Sequence, residues 1–243
     1  MNSIVPKPLL IIKTGNTIPQ LLKAGADFED WFRQGFGLGA SSCKVCSLHL
    51  NESLPPLNSI GGIVITGSPA YVTDLAQWNY VGADYIRSAH SKGVPILGVC
   101  YGHQLIAWAF GGRVGFNPLG REIGTVMIEL EPEAEADALF KGLPKQFAAN
   151  ASHQQSVIEL PQGARRLAHN TLDRNHGFSL GEATWGVQFH PEFSGEITRA
   201  YIKARSDDIG KEGLNASSLY SSVQDTPISA SLLKAFRGIM ERG

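Results

Sequence analysis

Cys100 is the first residue whose type and setting could do chemistry. It lies between Gly98 and Gly102, after the apolar run 94–97 and before the helix-like stretch 104–110. This order predicts a strand, a sharp turn and a helix, with the thiol at the turn. The start of a helix carries free N–H groups and partial positive charge, which favour the thiolate form of a cysteine. The segment therefore predicts a nucleophilic thiol.

His190 could supply the matching base. It ends a predicted strand in the string His-Pro-Glu, so that Glu192 follows two positions later. Side chains two apart on a strand point to the same side, which predicts contact between this imidazole and this carboxylate. The carboxylate would fix the imidazole tautomer, and the imidazole could then activate a thiol. We predict Cys100, His190 and Glu192 as nucleophile, base and orienting group; a structural ion pair is the alternative for Glu192.

The two segments read G-x-C-x-G-x-Q and, further along the chain, G-x-Q-x-H-P-E. In this order they resemble the class I glutamine amidotransferases, and the resemblance covers roughly residues 8–195. It implies an open α/β sheet and hydrolysis of the glutamine side-chain amide through a glutamyl thioester, with release of ammonia. We expect no cofactor for this reaction.

A tetrahedral intermediate needs hydrogen-bond donors for its oxyanion. The backbone N–H of Tyr101, directly after the predicted nucleophile, is one candidate. The loop 67–69 is expected to supply the other, from Ser68; family members often have Gly-Gly-Pro here, and this chain has serine as the second residue. An ordinary turn at the end of a strand is the alternative for this loop.

The resemblance also implies substrate-binding residues. Gln104 lies one helical turn past the cysteine and is expected to face the same cleft and contact the substrate; a polar helix residue that caps the elbow is the alternative. Gly67 of the loop is also expected to bind the substrate. Ser152 and His153 begin a string that resembles S-H-x-D-x-V, which holds the α-amino and α-carboxylate groups of glutamine in the family. This chain has Gln155 in place of the aspartate. The lost carboxylate predicts weaker glutamine binding, or a changed requirement for a free amino group.

Three other strings are open to more than one interpretation. The segment 120–124 resembles the R-E-x-G of GMP synthetase amidotransferase domains, but could equally be a turn into a strand over 125–130. We interpret 175–177 as a turn into a strand rather than a binding segment. Cys43 and Cys46, near His49, lack a second ligand pair, and strand alternation puts the two thiols on opposite faces. We therefore expect no metal.

The elements that must position these residues alternate between strand and helix, which is typical of a doubly wound, mostly parallel, flavodoxin-like α/β sheet. The pattern predicts a helix over 75–90, ended by Gly93. Ligand sites in such sheets lie at the carboxyl ends of the strands, where the cysteine and the loop 67–69 both fall. The predicted parallel strands are 9–12, 44–48, 62–66 and 94–99.

The second half of the chain is more β-like, which predicts antiparallel strands added to one side of the core. A helix is predicted over 193–204, and the polar, Ser-rich segment 206–224 is interpreted as an extended loop or linker. Thr226 and Pro227 begin a last helix, whose apolar stripe is expected to pack on the domain, with a partner interface as the alternative. We predict one domain over 1–243, with its core at about 8–205 and the linker plus C-terminal helix over 206–243.

Composition excludes several classes of protein. The 243 residues carry a net charge of -1 without a basic block, so we expect no nucleic-acid binding. No apolar run reaches membrane-spanning length, and the N-terminus lacks the pattern of a signal peptide. The chain has only three cysteines, and a reactive thiol needs reducing conditions, so we expect a cytoplasmic protein.

The predicted function is glutamine hydrolysis, with the ammonia passed to a separate synthetase chain, because the stretch after position 195 is too short for a synthetase and no phosphate-binding loop occurs. The alternative is a stand-alone hydrolase of γ-glutamyl peptides or amides. A scaffold or regulator that only keeps the fold is a third, non-enzymatic interpretation.

Overall fold

The computed structural model describes residues 7–242, in which the chain forms eleven strands. They are β1 (Leu9–Lys13), β2 (Cys43–Ser47), β3 (Gly62–Ile65), β4 (Ile96–Val99), β5 (Arg113–Phe116), β6 (Glu122–Leu130), β7 (Gln146–His153), β8 (Gln155–Glu159), β9 (Ala164–His169), β10 (Gly177–Leu180) and β11 (Thr184–Val187). The helices are α1 (Pro19–Lys23), α2 (Phe28–Phe36), α3 (Gln77–Ser91), α4 (Tyr101–Ala109), α5 (Gly195–Ala204), α6 (Ser206–Lys211), α7 (Ala216–Ser222) and α8 (Pro227–Met240).

Nine of the strands form one sheet in the order β2-β1-β3-β4-β11-β10-β9-β6-β7. The first five of these are mutually parallel, which confirms the predicted flavodoxin-like order around the early strands. The remaining four continue the sheet in antiparallel fashion, as the sequence predicted. Strands β5 and β8 pair separately as an antiparallel ribbon.

The parallel strands form where apolar runs can be buried on both faces. Leu9 and Ile11 of β1 belong to the apolar cluster on one face, and Leu10 and Ile12 belong to the cluster on the other face. The two cysteines of β2 divide in the same way, as strand alternation predicted. Both faces are covered because helices pack on each side of the sheet.

Two predicted helix starts were wrong for local reasons. The helix α3 begins at Gln77 rather than near 75, because Leu75 adopts a left-handed φ of 51°. The helix α5 begins at Gly195, where the side chain of Ser194 accepts a hydrogen bond from the backbone N–H of Ile197.

The predicted linker over 206–224 was also wrong, since this segment contains α6 and α7. Ile209 of α6 is fully buried, and the side chain of Asn215 caps α7 by accepting a hydrogen bond from the N–H of Ser218. The serines suggested a loop because serine competes for backbone hydrogen bonds in turns, but here most of them lie on exposed helix surface. The segment is thus ordered structure that lies beside the predicted active site.

The C-terminal helix packs on the sheet and on α2, as its apolar stripe predicted. Leu232, Leu233 and Phe236 are buried, and the rings of Phe236 and Phe36 lie 6.1 Å apart. Thr226 precedes the first turn without a side-chain capping bond. The apolar face of α8 is therefore covered by its own chain.

Candidate active site

The sheet brings Cys100 and His190 together through two neighbouring parallel strands. Val99, the last residue of β4, is paired with Val187, the last residue of β11. The cysteine follows β4 directly, and the histidine lies three residues beyond β11. Two residues far apart in the sequence thus meet at the carboxyl edge of the sheet, where ligand sites of such folds occur.

Cys100 has an unusual backbone conformation, with φ 52° and ψ -100°. The flanking glycines do not adopt left-handed dihedral angles. They allow the turn because neighbouring backbone atoms lie where a side chain would be. A Cβ atom on Gly98 would lie 2.4 Å from the carbonyl oxygen of Gly102, and one on Gly102 would lie 2.4 Å from that of Ile65. The elbow therefore needs glycine at both positions because backbone occupies the space of a side chain.

His190 contacts the carboxylate that the sequence paired with it. Its Nδ1 lies 2.7 Å from Oε1 of Glu192, and both side chains are buried. The prediction that a strand carries both residues was wrong, because β11 ends at Val187 and Glu192 lies in a turn. The turn nevertheless brings the carboxylate of Glu192 to Nδ1 of His190. On the face of the imidazole, Phe193 stacks with the ring centroids 3.9 Å apart.

The electrostatics favour a thiolate and an imidazolium. Burial alone would raise the pKa of the Cys100 thiol, but the charge and hydrogen bond of His190 hold this pKa below its ordinary value. Burial would lower the pKa of His190, but Glu192 and the cysteine together raise it. Each group therefore favours the charged form of the other, and we expect the predicted nucleophile and base to form an ion pair.

His103 lies close to the elbow in sequence but cannot replace His190 as the base. Burial lowers the pKa of His103 to about 3, and the ring packs 4.9 Å from that of Phe178. It therefore packs as a neutral core residue.

The two predicted oxyanion donors line a pocket with the cysteine. Tyr101 is the first residue of α4, where backbone N–H groups lack partners within the helix. The backbone of Ser68 does not have a positive φ, so serine can adopt this conformation as readily as glycine. Its hydroxyl donates to the carbonyl of Thr14 at 2.6 Å, which fixes the loop. A side chain on Gly67 would lie 2.9 Å from Cε1 of His190, so the loop needs a glycine there.

The pocket beside the cysteine is lined by every substrate-binding residue that the sequence predicted except Gly67. Gln104 donates from Nε2 to the backbone carbonyl of Gln155 at 2.8 Å, so it holds the segment 152–155 against α4. The carbonyl oxygen of Ser152 lies 3.9 Å from Sγ of the cysteine. The pocket is therefore a small polar site that ends at the thiol.

Gln155, which stands where the family pattern has aspartate, is buried in this pocket wall. Its Nε2 donates to Oγ1 of Thr73 at 2.6 Å, whereas its Oε1 lacks a hydrogen-bond partner. The pocket wall thus carries a neutral amide where the family pattern has a carboxylate.

Nothing in the sequence indicated that Arg121 would meet Glu212. The guanidinium of Arg121 lines the pocket and donates to the two carboxylate oxygens of Glu212, at 2.7 and 2.9 Å. Gln154 donates to the same carboxylate at 3.0 Å. The contacting residues lie far apart in the chain, and only the fold shows that the residue after α6 contacts the wall of the pocket.

A larger cleft of about 660 Å³ adjoins the small pocket at the thiol. It shares Cys100, Ser68 and Ser152 with the small pocket, and it includes His190 and Tyr201. The residues after β1, 14–20, form much of its wall. A substrate that reacts at the thiol could therefore place its acyl group in the pocket and its leaving group in the cleft.

One group of three side chains among the described residues could in principle ligate a metal ion: Glu122, His153 and His176. Both histidines point Nε2 at the same carboxylate oxygen, at 2.9 and 2.6 Å. These distances are those of hydrogen bonds, so the carboxylate is satisfied by protein donors. The sequence placed 175–177 in a turn into a strand, which the structure confirms, but it did not predict this contact.

Comparison with known proteins agrees with this geometry. The family model of the class I glutamine amidotransferases matches residues 31–206. One subunit of the glutamine-hydrolyzing GMP synthase of Methanocaldococcus jannaschii is 32% identical over 172 residues, which cover 68% of this chain and 85% of that protein. The GMP synthase of Aeropyrum pernix is 34% identical over 143 residues, but this chain spans only 26% of that protein's length.

Two further comparisons differ in kind. Gamma-glutamyl peptidase 3 of Arabidopsis thaliana is 31% identical over 144 residues, which cover 58% of each chain. A crystal structure of a glutamine amidotransferase from Thermotoga maritima has a TM-score of 0.77 at 22% identity, covering 98% of this chain and 100% of that one. This last likeness shows the fold. No helix in the described part of the chain is long and apolar enough to cross a membrane.

Replacing Gly102 with alanine tests the elbow. The new Cβ would meet the backbone carbonyl of Ile65, so we expect Gly102→Ala to lower the free energy of unfolding by about 1–3 kcal/mol and to slow alkylation of Cys100. Urea unfolding and iodoacetamide labelling measure the two effects. Gly210→Ala is the control, because Gly210 lies in α6 with open space around it. Equal stability of the two variants would contradict the steric account.

The ion pair predicts the pH dependence of thiol alkylation. Because His190 holds the pKa of the Cys100 thiol below its ordinary value, alkylation should stay fast below the usual thiol range and slow only on further acidification. In His190→Ala the imidazole charge no longer opposes the effect of burial on the thiol pKa. The pH profile of Cys100 alkylation should therefore move to higher pH. His169→Ala, at a half-buried site away from the thiol, is the control. Identical profiles for the two variants would refute the pairing.

Proposed function

Since this chain belongs to the class I glutamine amidotransferase family, we propose that it hydrolyses the side-chain amide of glutamine through a glutamyl thioester on Cys100. The observation that carries the proposal is the buried pair of Cys100 and His190, oriented by Glu192 at 2.7 Å. Family membership supports a cysteine-dependent enzyme that cleaves a C–N bond. The roles of the individual residues are part of the proposal.

The first half of the reaction forms the thioester. The thiolate of Cys100 attacks the γ-carbonyl carbon of glutamine, and the N–H groups of Tyr101 and Ser68 stabilise the oxyanion. His190, protonated in the ion pair, donates a proton to the leaving nitrogen as the C–N bond breaks. Ammonia leaves, and the glutamyl group remains on sulfur.

The second half returns the enzyme to its starting state. His190, now neutral, accepts a proton from water as the water oxygen attacks the thioester carbonyl. The C–S bond breaks, glutamate leaves, and the thiolate and imidazolium re-form. Glu192 keeps the imidazole oriented and stabilises its charge in both halves. A reduced thiol is needed throughout, so we expect the reaction in a reducing compartment such as the cytoplasm.

The substrate groups follow from the two cavities. The glutamyl part lies in the small pocket with Gly67, Gln104, Ser152 and His153 around or beside it, and the leaving group lies toward the cleft that contains His190. The relative from Methanocaldococcus jannaschii is named as one subunit of a GMP synthase. By analogy, a separate synthetase chain would receive the ammonia at the open cleft.

A second candidate function is hydrolysis of γ-glutamyl peptides or amides without a synthetase. One observation favours it: the cleft of about 660 Å³ has room for a leaving group larger than ammonia. The similarity to a γ-glutamyl peptidase is in line with this alternative. Both candidates share the thioester chemistry and differ only in the leaving group.

Glutamate release from two substrates separates the candidates. The purified protein is given glutamine and a γ-glutamyl dipeptide in parallel, with Cys100→Ser as the control. Cleavage of glutamine in preference to the dipeptide would support the amidotransferase proposal, and the reverse preference would support the peptidase. Loss of both activities in Cys100→Ser is expected, because the alcohol is a far weaker nucleophile than the paired thiolate. Unchanged activity in that variant would refute the mechanism.

The charge at position 155 gives a second prediction. Gln155→Glu would restore a carboxylate in the pocket, so we expect the KM for glutamine to fall by about tenfold, as a charge-assisted hydrogen bond replaces a neutral one. The KM for glutamine acylated at the α-amino group should not fall. Gln146→Glu, at the exposed end of β7, is the matched control. A similar KM for glutamine in both variants would show that position 155 does not read the amino group.

A further inference from the structure

A buried carboxylate, Glu122, joins two histidines behind the substrate pocket. It begins β6, and it meets His153 at the end of β7 and His176 just before β10. The three residues are at most 6% exposed. Of the three, only His153 lines the pocket with the cysteine. The group therefore links the core of the sheet to the site of reaction.

The hydrogen-bond partners of His153 fix its protonation. Its Nδ1 lies 3.0 Å from the backbone carbonyl of Gln155, which can only accept, and 3.5 Å from Oγ of Ser156, at the limit of a hydrogen bond. The shorter contact, to the carbonyl, is the one that requires a proton on Nδ1. Its Nε2 lies 2.9 Å from Oε2 of Glu122, and an ionised carboxylate can only accept as well. Both ring nitrogens of His153 must therefore carry a proton if Glu122 is ionised.

The surroundings of Glu122 favour the ionised form. Besides His153, the carboxylate accepts a hydrogen bond from Nε2 of His176 at 2.6 Å and one from Nδ2 of Asn170 at 2.6 Å. Three donors on one carboxylate stabilise its negative charge. His176 needs only one ring proton for this contact, because its Nδ1 has no partner.

We propose that Glu122 is a positioning residue that holds His153 as a permanent imidazolium, so that the pocket wall beside Cys100 carries a fixed positive charge. This inference rests on the proposed role of Cys100 as the nucleophile. The charge adds to that of His190 in favouring the thiolate, and it also favours a substrate with a carboxylate at the glutamyl end.

The neighbouring charges agree in direction. Burial would lower the pKa of His153, but Glu122, Asp173 and the thiolate of Cys100 raise it above its usual value. Burial would raise the pKa of Glu122, but the two histidines hold it far below its usual range. The groups that face Cys100 itself are His190 and His153, which favour the thiolate, and Glu192, which opposes it.

The first test reads the protons directly in the unmodified protein. Long-range ¹H–¹⁵N spectra distinguish protonated from unprotonated ring nitrogens, and the signals lost in His153→Gln assign the residue. We expect two protonated nitrogens on His153 throughout the neutral pH range. An unprotonated nitrogen on His153 at neutral pH would overturn the proposal, and so would a stoichiometric metal ion found by elemental analysis, because a metal would occupy a ring lone pair.

The second test measures what the charge does to the thiol. In Glu122→Gln the counterion is lost and His153 should become neutral, so alkylation of Cys100 near neutral pH should slow by about tenfold and its pH profile should shift upward by about one unit. Glu159→Gln removes an exposed carboxylate of β8 and is the matched control. Circular dichroism and urea unfolding check that each variant is folded.

The outcomes separate this inference from the proposed function. If Glu122→Gln is folded and its alkylation profile matches that of Glu159→Gln, the role of Glu122 is refuted while Cys100 remains a reactive thiol. If Glu122→Gln does not fold, the spectra of the unmodified protein decide the matter. If Cys100 is unreactive in the unmodified protein, the proposed function itself fails.

Discussion

The structure depends on how closely the backbone approaches itself at the turn that carries Cys100. The cysteine can adopt a φ of 52° only because Gly98 and Gly102 leave space for carbonyl groups that a side chain would displace. This turn aims the thiol at the carboxyl edge of the sheet and starts α4 directly behind it. The parallel pairing of β4 with β11 then determines where His190 can stand.

Around that turn, two pairs of histidine and carboxylate side chains lie near the sulfur atom of Cys100. His190 and Glu192 approach from the end of β11, and His153 approaches from β7 with Glu122 behind it. The thiol is buried, and burial by itself disfavours the thiolate. In the proposed arrangement the two imidazoles supply the positive charge that outweighs desolvation, and each has its own buried carboxylate as a counterion. The same arrangement explains why so many polar side chains are buried at this end of the sheet.

Much of this could be predicted from the sequence. Apolar runs such as 9–12 form strands because a sheet covered on both faces buries every residue of such a run. The glycines around Cys100 and the His-Pro-Glu string indicated which strand ends carry the candidate catalytic residues. Other contacts could not be predicted. The ion pair of Arg121 with Glu212 and the meeting of Glu122 with His176 join segments whose proximity depends on the whole sheet order. The helices over 206–222 were missed because a serine-rich surface resembles a loop in composition, while one buried side chain, Ile209, and one cap, Asn215, fix the structure.

If the glutamyl group passes through a thioester on Cys100, the protein should carry a covalent adduct during turnover. Acid quenching during turnover of glutamine or a γ-glutamyl dipeptide, followed by mass spectrometry of the peptide that contains Cys100, measures this adduct. We expect a glutamyl adduct on that cysteine that is absent from Cys100→Ser and disappears once substrate is exhausted. Steady release of glutamate without any adduct, at a rate that Cys100→Ser retains, would contradict this expectation.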